Sequence, residues 1–239
     1  MRYLYLYLTV LIVLSSNVSA MDKYFGAPSK ISVWKISCSV DTGSITGGES
    51  KWVFKTSKNR CTGGIFKQRA EITSNSALSI STKAKYNFQS IFTMKSSSNE
   101  KFDIFQIHDA RDRCSPPLKV NVQSSGKIRL YSDYKTGPGE RCEHDVIQTT
   151  GLGKTSVKRD GTEYKLNVIV DFDGKSGFDV EVYIDDVLEV SGKYFPPEGS
   201  GYISSKFFYF KHGVYSRNMF DYELKSKISM HLVKKVYEI

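Results

Sequence analysis

Three short stretches carry side chains that can hold a carboxylate and move a proton: QRAEI at Gln68–Ile72, FQIH at Phe105–His108 and FFYFKHGVYSR at Phe207–Arg217. In an extended strand, successive side chains point to opposite faces. Read this way, Arg69 and Glu71 share a face, with Ala70 and Ile72 opposite. Gln106 and His108 share a face, with Phe105 and Ile107 opposite. Tyr209, Lys211, Gly213 and Tyr215 share a face, with Phe208, Phe210, His212 and Val214 opposite. The polar faces together offer a guanidinium, an amide, an imidazole, an ammonium and two phenols. Such a set can neutralise an anion and then take and give a proton. Gly213 reads as the position that leaves room for something to approach. By parity His212 belongs to the buried face and reads as a core histidine. Each stretch alone also has an ordinary reading, because an Arg–Glu pair on a strand is usually a surface ion pair worth little energy.

These stretches need a scaffold of strands. Runs rich in β-branched and aromatic residues recur between clusters of Gly, Ser, Asn, Asp and Lys, and few segments show helical periodicity. The expected strands are Ile31–Ile36, Lys51–Thr56, Phe66–Thr73, Tyr86–Met94, Phe102–His108, Leu118–Gln123, Lys127–Tyr131, Tyr164–Phe172, Phe178–Ile184, Val187–Val190, Phe207–Tyr215 and Ile228–Val236. Asp173-Gly174 and Asp185-Asp186 are the turn signals of an antiparallel meander over Lys165–Val190. So many strands in one chain without a linker or repeat predict an all-β, two-sheet sandwich or jelly roll. Asp171, Asp173 and Asp179 read as acidic turn residues, since an EF-hand would need flanking helices. No metal site is expected, because Cys142 and His144 lack identifiable partner ligands.

Arg2, the apolar run Tyr3–Leu14 and Val18-Ser19-Ala20 form a signal-peptide pattern. The expected organisation is a signal peptide at 1–20 and a single domain at 21–239, secreted to an extracellular or periplasmic space. Removing Arg2 lowers the formal net charge from +9 to +8. An exported basic protein favours polyanionic partners. Nucleic acid is set aside, because no recognition-helix pattern is present. No membrane association is expected after cleavage, and the expected state is a monomer. Four cysteines in an exported chain suggest disulfides. Cys38–Cys61 and Cys114–Cys142 are the sequence-neighbour pairings. Two polar loops, Asp109–Pro117 and Ser132–Thr150, offer Arg111, Arg113, Lys135 and Arg141 as candidate contacts at the rim of a site.

QRAEI, QIH and YFKHGVYSR together resemble the three signature blocks of the alginate lyases of polysaccharide lyase family 7, whose usual forms are R(S/T)E(L/V)R, Q(I/V)H and YFKAGxYxQ. The glucuronan lyases share similar motifs. The blocks stand in family order between Arg69 and Arg217. The resemblance implies a concanavalin-like β-jelly roll sandwich with an open substrate groove on its concave sheet. It implies cleavage of an acidic uronate polysaccharide by β-elimination, without a cofactor. Carried over residue by residue, the catalytic set is Arg69, Gln106, His108 and Tyr215. Glu71, Tyr209, Lys211 and Arg217 are the substrate-binding set, with Glu71 orienting Arg69. Arg69 and Gln106 would neutralise the uronate carboxylate. His108 or Tyr215 would take the C5 proton, with Lys211 and Arg69 expected to lower the Tyr215 pKa. Tyr215 would protonate the leaving oxygen.

The chain departs from the blocks at Thr73, where the family has arginine, at His212, where it has alanine, and at Arg217, where it has glutamine. The loss of an arginine at position 73 supports an alternative, a jelly roll that binds acidic glycans without turnover. A glycoside hydrolase would need two carboxylic acids around the scissile bond, and only Glu71 stands on a motif strand.

Overall fold

The computed structural model describes residues 27–59, 67–111, 114, 116–137, 142–196 and 205–235. The expected signal peptide lies outside them, as do Cys61, Arg113 and Arg141. Among the described residues there are fifteen strands and no helix. In chain order they are β1 (Trp34–Ile36), β2 (Ile45–Gly48), β3 (Lys51–Lys55), β4 (Gln68–Ser74), β5 (Leu78–Ser79), β6 (Lys83–Lys95), β7 (Phe102–His108) and β8 (Leu118–Val122). There follow β9 (Ile128–Lys135), β10 (Cys142–Asp145), β11 (Asp160–Asp173), β12 (Phe178–Ile184), β13 (Val187–Tyr194), β14 (Phe207–Ser216) and β15 (Glu223–Lys235).

The strands form two antiparallel sheets. One runs β1-β4-β14-β7-β8-β9-β10, with β5 also paired to β14; the other runs β13-β12-β11-β6-β15-β3-β2. The inner faces meet through aromatic side chains. Phe88 of β6 lies 4.6 Å from Phe105 of β7, Phe172 of β11 lies 5.3 Å from Phe208 of β14, and Phe54 of β3 lies 5.5 Å from His212. Each such ring, fully removed from water, stabilises the sandwich by about 1.5–3 kcal/mol. The alternation in β6, with Ala84, Tyr86, Phe88, Ser90, Phe92 and Met94 inward, is what seats these rings.

The expected meander is present as β11-β12-β13. Asp185 and Asp186 both take left-handed φ, 50° and 65°, as a tight hairpin turn requires. The acids of this region have structural partners: Asp171 pairs with Lys85 at 2.9 Å, Asp179 with Lys193 at 3.1 Å, and Asp173 accepts the backbone N–H of Lys175 and Gly177. Three strands were not expected. The two-residue β5 and the glycine-rich β2 carry little pattern, and β10 (CEHD) is an exposed edge strand without apolar alternation. Cys114 bonds to Cys142, tying the β7–β8 loop to that edge.

Candidate active site

The site is built on four adjacent strands of the first sheet, and the strand register decides which side chains meet. Antiparallel pairing of β14 with β4 sets Tyr215 opposite Arg69, Gly213 opposite Glu71 and Lys211 opposite Thr73. On its other side β14 meets β7, with Tyr209 opposite His108 and Lys211 opposite Gln106. Beyond β7 lies β8, with Gln106 opposite Lys119. Seven of the eight residues named as catalytic or substrate-binding therefore belong to this one region. Arg217 is the outlying member: it follows the last residue of β14 and is exposed. Thr73 stands opposite Lys211, and its hydroxyl donates to the Phe210 carbonyl at 3.3 Å.

Two polar chains organise the face. In the first, the Arg69 Nε donates to the Glu71 carboxylate at 3.1 Å, and the Arg69 guanidinium lies 5.3 Å from the centre of the Tyr215 ring. Glu71 is only 2% exposed. This buried carboxylate fixes the Arg69 guanidinium through that bond. The second chain runs through β7 and β8. Gln123 Nε2 donates to Asn121 Oδ1 at 2.6 Å, Asn121 Nδ2 donates to Asp103 Oδ1 at 2.6 Å, and Gln106 Nε2 donates to Asp103 Oδ2 at 3.1 Å. Gln106 Oε1 then lies 2.7 Å from His108 Nε2, and the His108 ring sits 5.3 Å from the Tyr209 ring.

Burial sets the protonation of these groups. It drives His108 well below the usual imidazole range, and the nearby cations Lys211, Arg69, Lys119 and Arg111 push the same way. His108 is therefore neutral. With Gln106 Oε1 as acceptor, its proton sits on Nε2 and its lone pair on Nδ1. Lys211 is lowered to about 8 by burial, with Glu71 opposing and Arg69 assisting. Tyr209 is pushed up to about 12 by burial. Tyr215 is also raised, because burial outweighs Arg69. The expected lowering of the Tyr215 pKa is thus overturned: at neutral pH the group is a phenol, not a phenolate.

Gly213 also differs from its expected role. Its φ is 142°, and a Cβ there would lie 2.3 Å from the Ala70 carbonyl oxygen. The glycine lets β14 lie close to β4 where β14 and β7 fall out of register, between His212 and Tyr215, rather than making room for a ligand. His212 is fully buried as expected. Its Nδ1 lies 2.8 Å from the Ile104 carbonyl and its Nε2 2.8 Å from the Ser226 hydroxyl.

The two loop cations among the described residues, Arg111 and Lys135, are not an exposed rim. Arg111 is 5% exposed and Lys135 3%. Arg111 pairs with the Asp109 carboxylate, and its Nη2 donates to the Asp133 carbonyl at 2.7 Å, which fastens the loop to β9. The face also holds groups that motif reading passed over. Lys119 Nζ and His144 Nδ1 both meet Asp133 Oδ1, at 2.6 and 2.5 Å. Lys119 and Asn121 alternate with Leu118, Val120 and Val122, so that signal was present in the sequence. Asp103 gave no such signal. Strict alternation puts it with Phe105 on the core side.

The family model described as alginate lyase matches residues 31–233. A comparison with curated protein sequences finds no match. Among solved structures, the chain is similar to the alginate lyase AlgAT5 from polysaccharide lyase family 7, at 12% identity over 85% of this chain and 96% of that one, with a TM-score of 0.54. It is similar to the exolytic family 7 alginate lyase AlyA5 from Zobellia galactanivorans, at 11% identity over 87% and 97%, with a TM-score of 0.56. The alginate lyase from Klebsiella pneumoniae matches at 13% identity over 89% and 98%, with a TM-score of 0.51. At these identities the structural likeness speaks for the jelly-roll sandwich, and the family match speaks for the chemistry.

Proposed function

The chain belongs to the alginate lyase family and is a polysaccharide lyase acting on an acidic polysaccharide; from that premise we propose that it cleaves a uronate chain by β-elimination, leaving a C4=C5 unsaturated uronate at the new non-reducing end. The observation that carries this reading is the convergence of Arg69 with Tyr215, Gln106 with His108, and Lys211 between them, on three adjacent strands.

The reaction must remove a proton from C5, beside a carboxylate whose charge opposes it. Arg69, preset by Glu71, pairs with the carboxylate as negative charge builds up on it. Lys211 and the second N–H of the Gln106 amide, whose other N–H goes to Asp103, add to that stabilisation. Such preset donors are worth more as the enolate-like charge grows, by about 10²–10³ in rate for each. His108, neutral with its lone pair on Nδ1, takes the C5 proton. Tyr215, held as a phenol, gives its proton to the departing O4 as that bond breaks. The roles differ from the first expectation in one respect. A buried phenol is a poor base but a competent acid, so the base is assigned to His108.

Export fits the same reading. A long polyanion is degraded where it is met, outside the cell, and the Cys114–Cys142 disulfide suits an oxidising compartment.

The test is ultraviolet absorbance of the purified protein incubated separately with polyguluronate, polymannuronate and glucuronan. A rise from the new C4=C5 bond on one polymer is expected and names the substrate. Binding without a rise on any of the three would replace the lyase reading with glycan binding alone.

A further inference from the structure

Asp103 is out of place by its position in the sequence. In β7 the residues Phe105 and Ile107 point into the core, and two-residue alternation assigns Asp103 to the same side. The pairing with β8 does not keep step there: Asp103 stands opposite Asn121, whereas Phe105 stands opposite Val120. Ile104 is the extra residue of a bulge. It stays in the core, where its carbonyl receives His212, and the bulge turns Asp103 over to the face of Gln106 and His108. The carboxylate is 2% exposed, and both of its oxygens accept amide hydrogens. A buried acid carried there by an irregular backbone, and bonded to a member of the proposed catalytic set, calls for a role.

We propose that Asp103 is a positioning residue for the lyase reaction: it fixes the Gln106 amide, and through that amide it fixes the tautomer of His108. The inference rests on the proposed lyase chemistry for its functional meaning, but its physical content stands alone. Asn121 is anchored by Gln123 donating to its Oδ1, so its Nδ2 must point at Asp103. At pH 8, above the value of about 7 to which burial lifts it, Asp103 is ionised and an acceptor only. It therefore takes Nε2 of Gln106, which leaves Oε1 facing His108. That oxygen can only accept, so the imidazole must carry its hydrogen on Nε2 and its lone pair on Nδ1. Each bond sets the direction of the next, from Gln123 to His108.

The isosteric substitution Asp103→Asn breaks that order. With Asn121 still donating, the new carbonyl accepts from Asn121 and the new N–H turns towards Gln106. The Gln106 amide must rotate, presenting Nε2 to the imidazole. His108 then accepts on Nε2 and carries its hydrogen on Nδ1, where it cannot take a proton from substrate.

The experiment is a long-range nitrogen–proton correlation spectrum of the ¹⁵N-labelled protein at pH 8, with the His108 signals identified by their loss in His108→Gln. The wild type is expected to show His108 as the Nε2–H tautomer, and Asp103→Asn to show Nδ1–H. In the same preparation kcat should fall by about 10²-fold or more, with KM changed less than about threefold, as when an orienting acid is lost without loss of binding. An unchanged tautomer in Asp103→Asn overturns the proposal, whatever the activity. Should that variant fail to fold, the wild-type spectrum still tests the order of these bonds: His108 found there as the Nδ1–H tautomer would overturn the proposal equally. Because the spectrum needs no substrate, a protein inactive on every polymer would fail the lyase reading while leaving the tautomer result to stand or fall separately.

Discussion

Tyr215 keeps its proton because the loss of water around the phenol outweighs the attraction of Arg69 for phenolate. The substitution Tyr215→Phe removes that proton but keeps the ring beside Arg69. Turnover should fall by about 10²–10⁴-fold, the range for a lost general acid, while the melting temperature stays within a few degrees of the wild type. Turnover close to wild type would remove Tyr215 from the reaction. His212 shows the same force in the core, where burial lowers its pKa to about 4. Its folded value lies below the unfolded reference of about 6.5, so it contributes stability that is full above pH 6.5 and is lost as pH falls towards 4. Asp103 acts in the opposite sense, because burial lifts it to about 7 and makes its ionised form unfavourable as pH rises. The two partly cancel in the wild type, so a difference measurement separates them. Between pH 7 and pH 4 the wild type should lose about 3 kcal/mol relative to His212→Gln, read from denaturant midpoints. Equal losses in both proteins would show that His212 does not titrate in this window.

The elements impose their own constraints, and Gly213 is the tightest. Alanine there would need a φ of 142° and a Cβ within 2.3 Å of the Ala70 carbonyl. Gly213→Ala should destabilise the protein by about 2–4 kcal/mol, combining backbone strain with overpacking between β14 and β4. It should also reduce turnover, because the same register holds Tyr215 over Arg69. A melting temperature equal to wild type would mean that the bulge relaxes freely. This position also shows where sequence reading stops. Alternation placed Arg69, Glu71, Lys211, Tyr209 and Tyr215 on one surface correctly, because β4 and β14 stay in step from Lys211 to Ser216. It placed Gln106 with His108 correctly for the same reason. It missed Asp103 because a bulge shifts parity by one residue, and no residue type in FDIFQIH announces that shift. It misread Arg111 and Lys135 because cations in polar loops look exposed. Only tertiary packing reveals an aspartate and a carbonyl that hold Arg111 inside. The β10 strand was invisible because pairing with β9 and a disulfide, not an apolar face, hold it in place.

The whole molecule carries a formal charge of +9, and its distribution bears on how a polyanion arrives. On the second sheet several lysines pair with acids: Lys55 and Lys225 share Glu223, Lys85 meets Asp171 and Lys193 meets Asp179. These pairs neutralise each other locally and add little to stability. On the site-bearing sheet Arg69, Lys119 and Arg111 pair with Glu71, Asp133 and Asp109, yet together with Lys211 they still act on His108, and Arg217 stands exposed beyond the end of β14. A uronate chain should be drawn towards that sheet by long-range attraction, which salt screens over a length of about 10 Å at 0.1 M and about 3 Å at 1 M. The buried donors that act on the reacting sugar are screened far less. Raising salt from 0.05 to 0.5 M should therefore lower kcat/KM by about tenfold or more through KM, with kcat nearly constant. Arg217→Gln should raise KM a few-fold and flatten the salt dependence, whereas Lys85→Gln on the opposite sheet should change neither. The pair of variants separates a local field from bulk charge, since each removes one positive charge. Equal effects from both would assign the attraction to net charge alone, and a salt effect on kcat would place the screened charges at the chemical step instead of the approach.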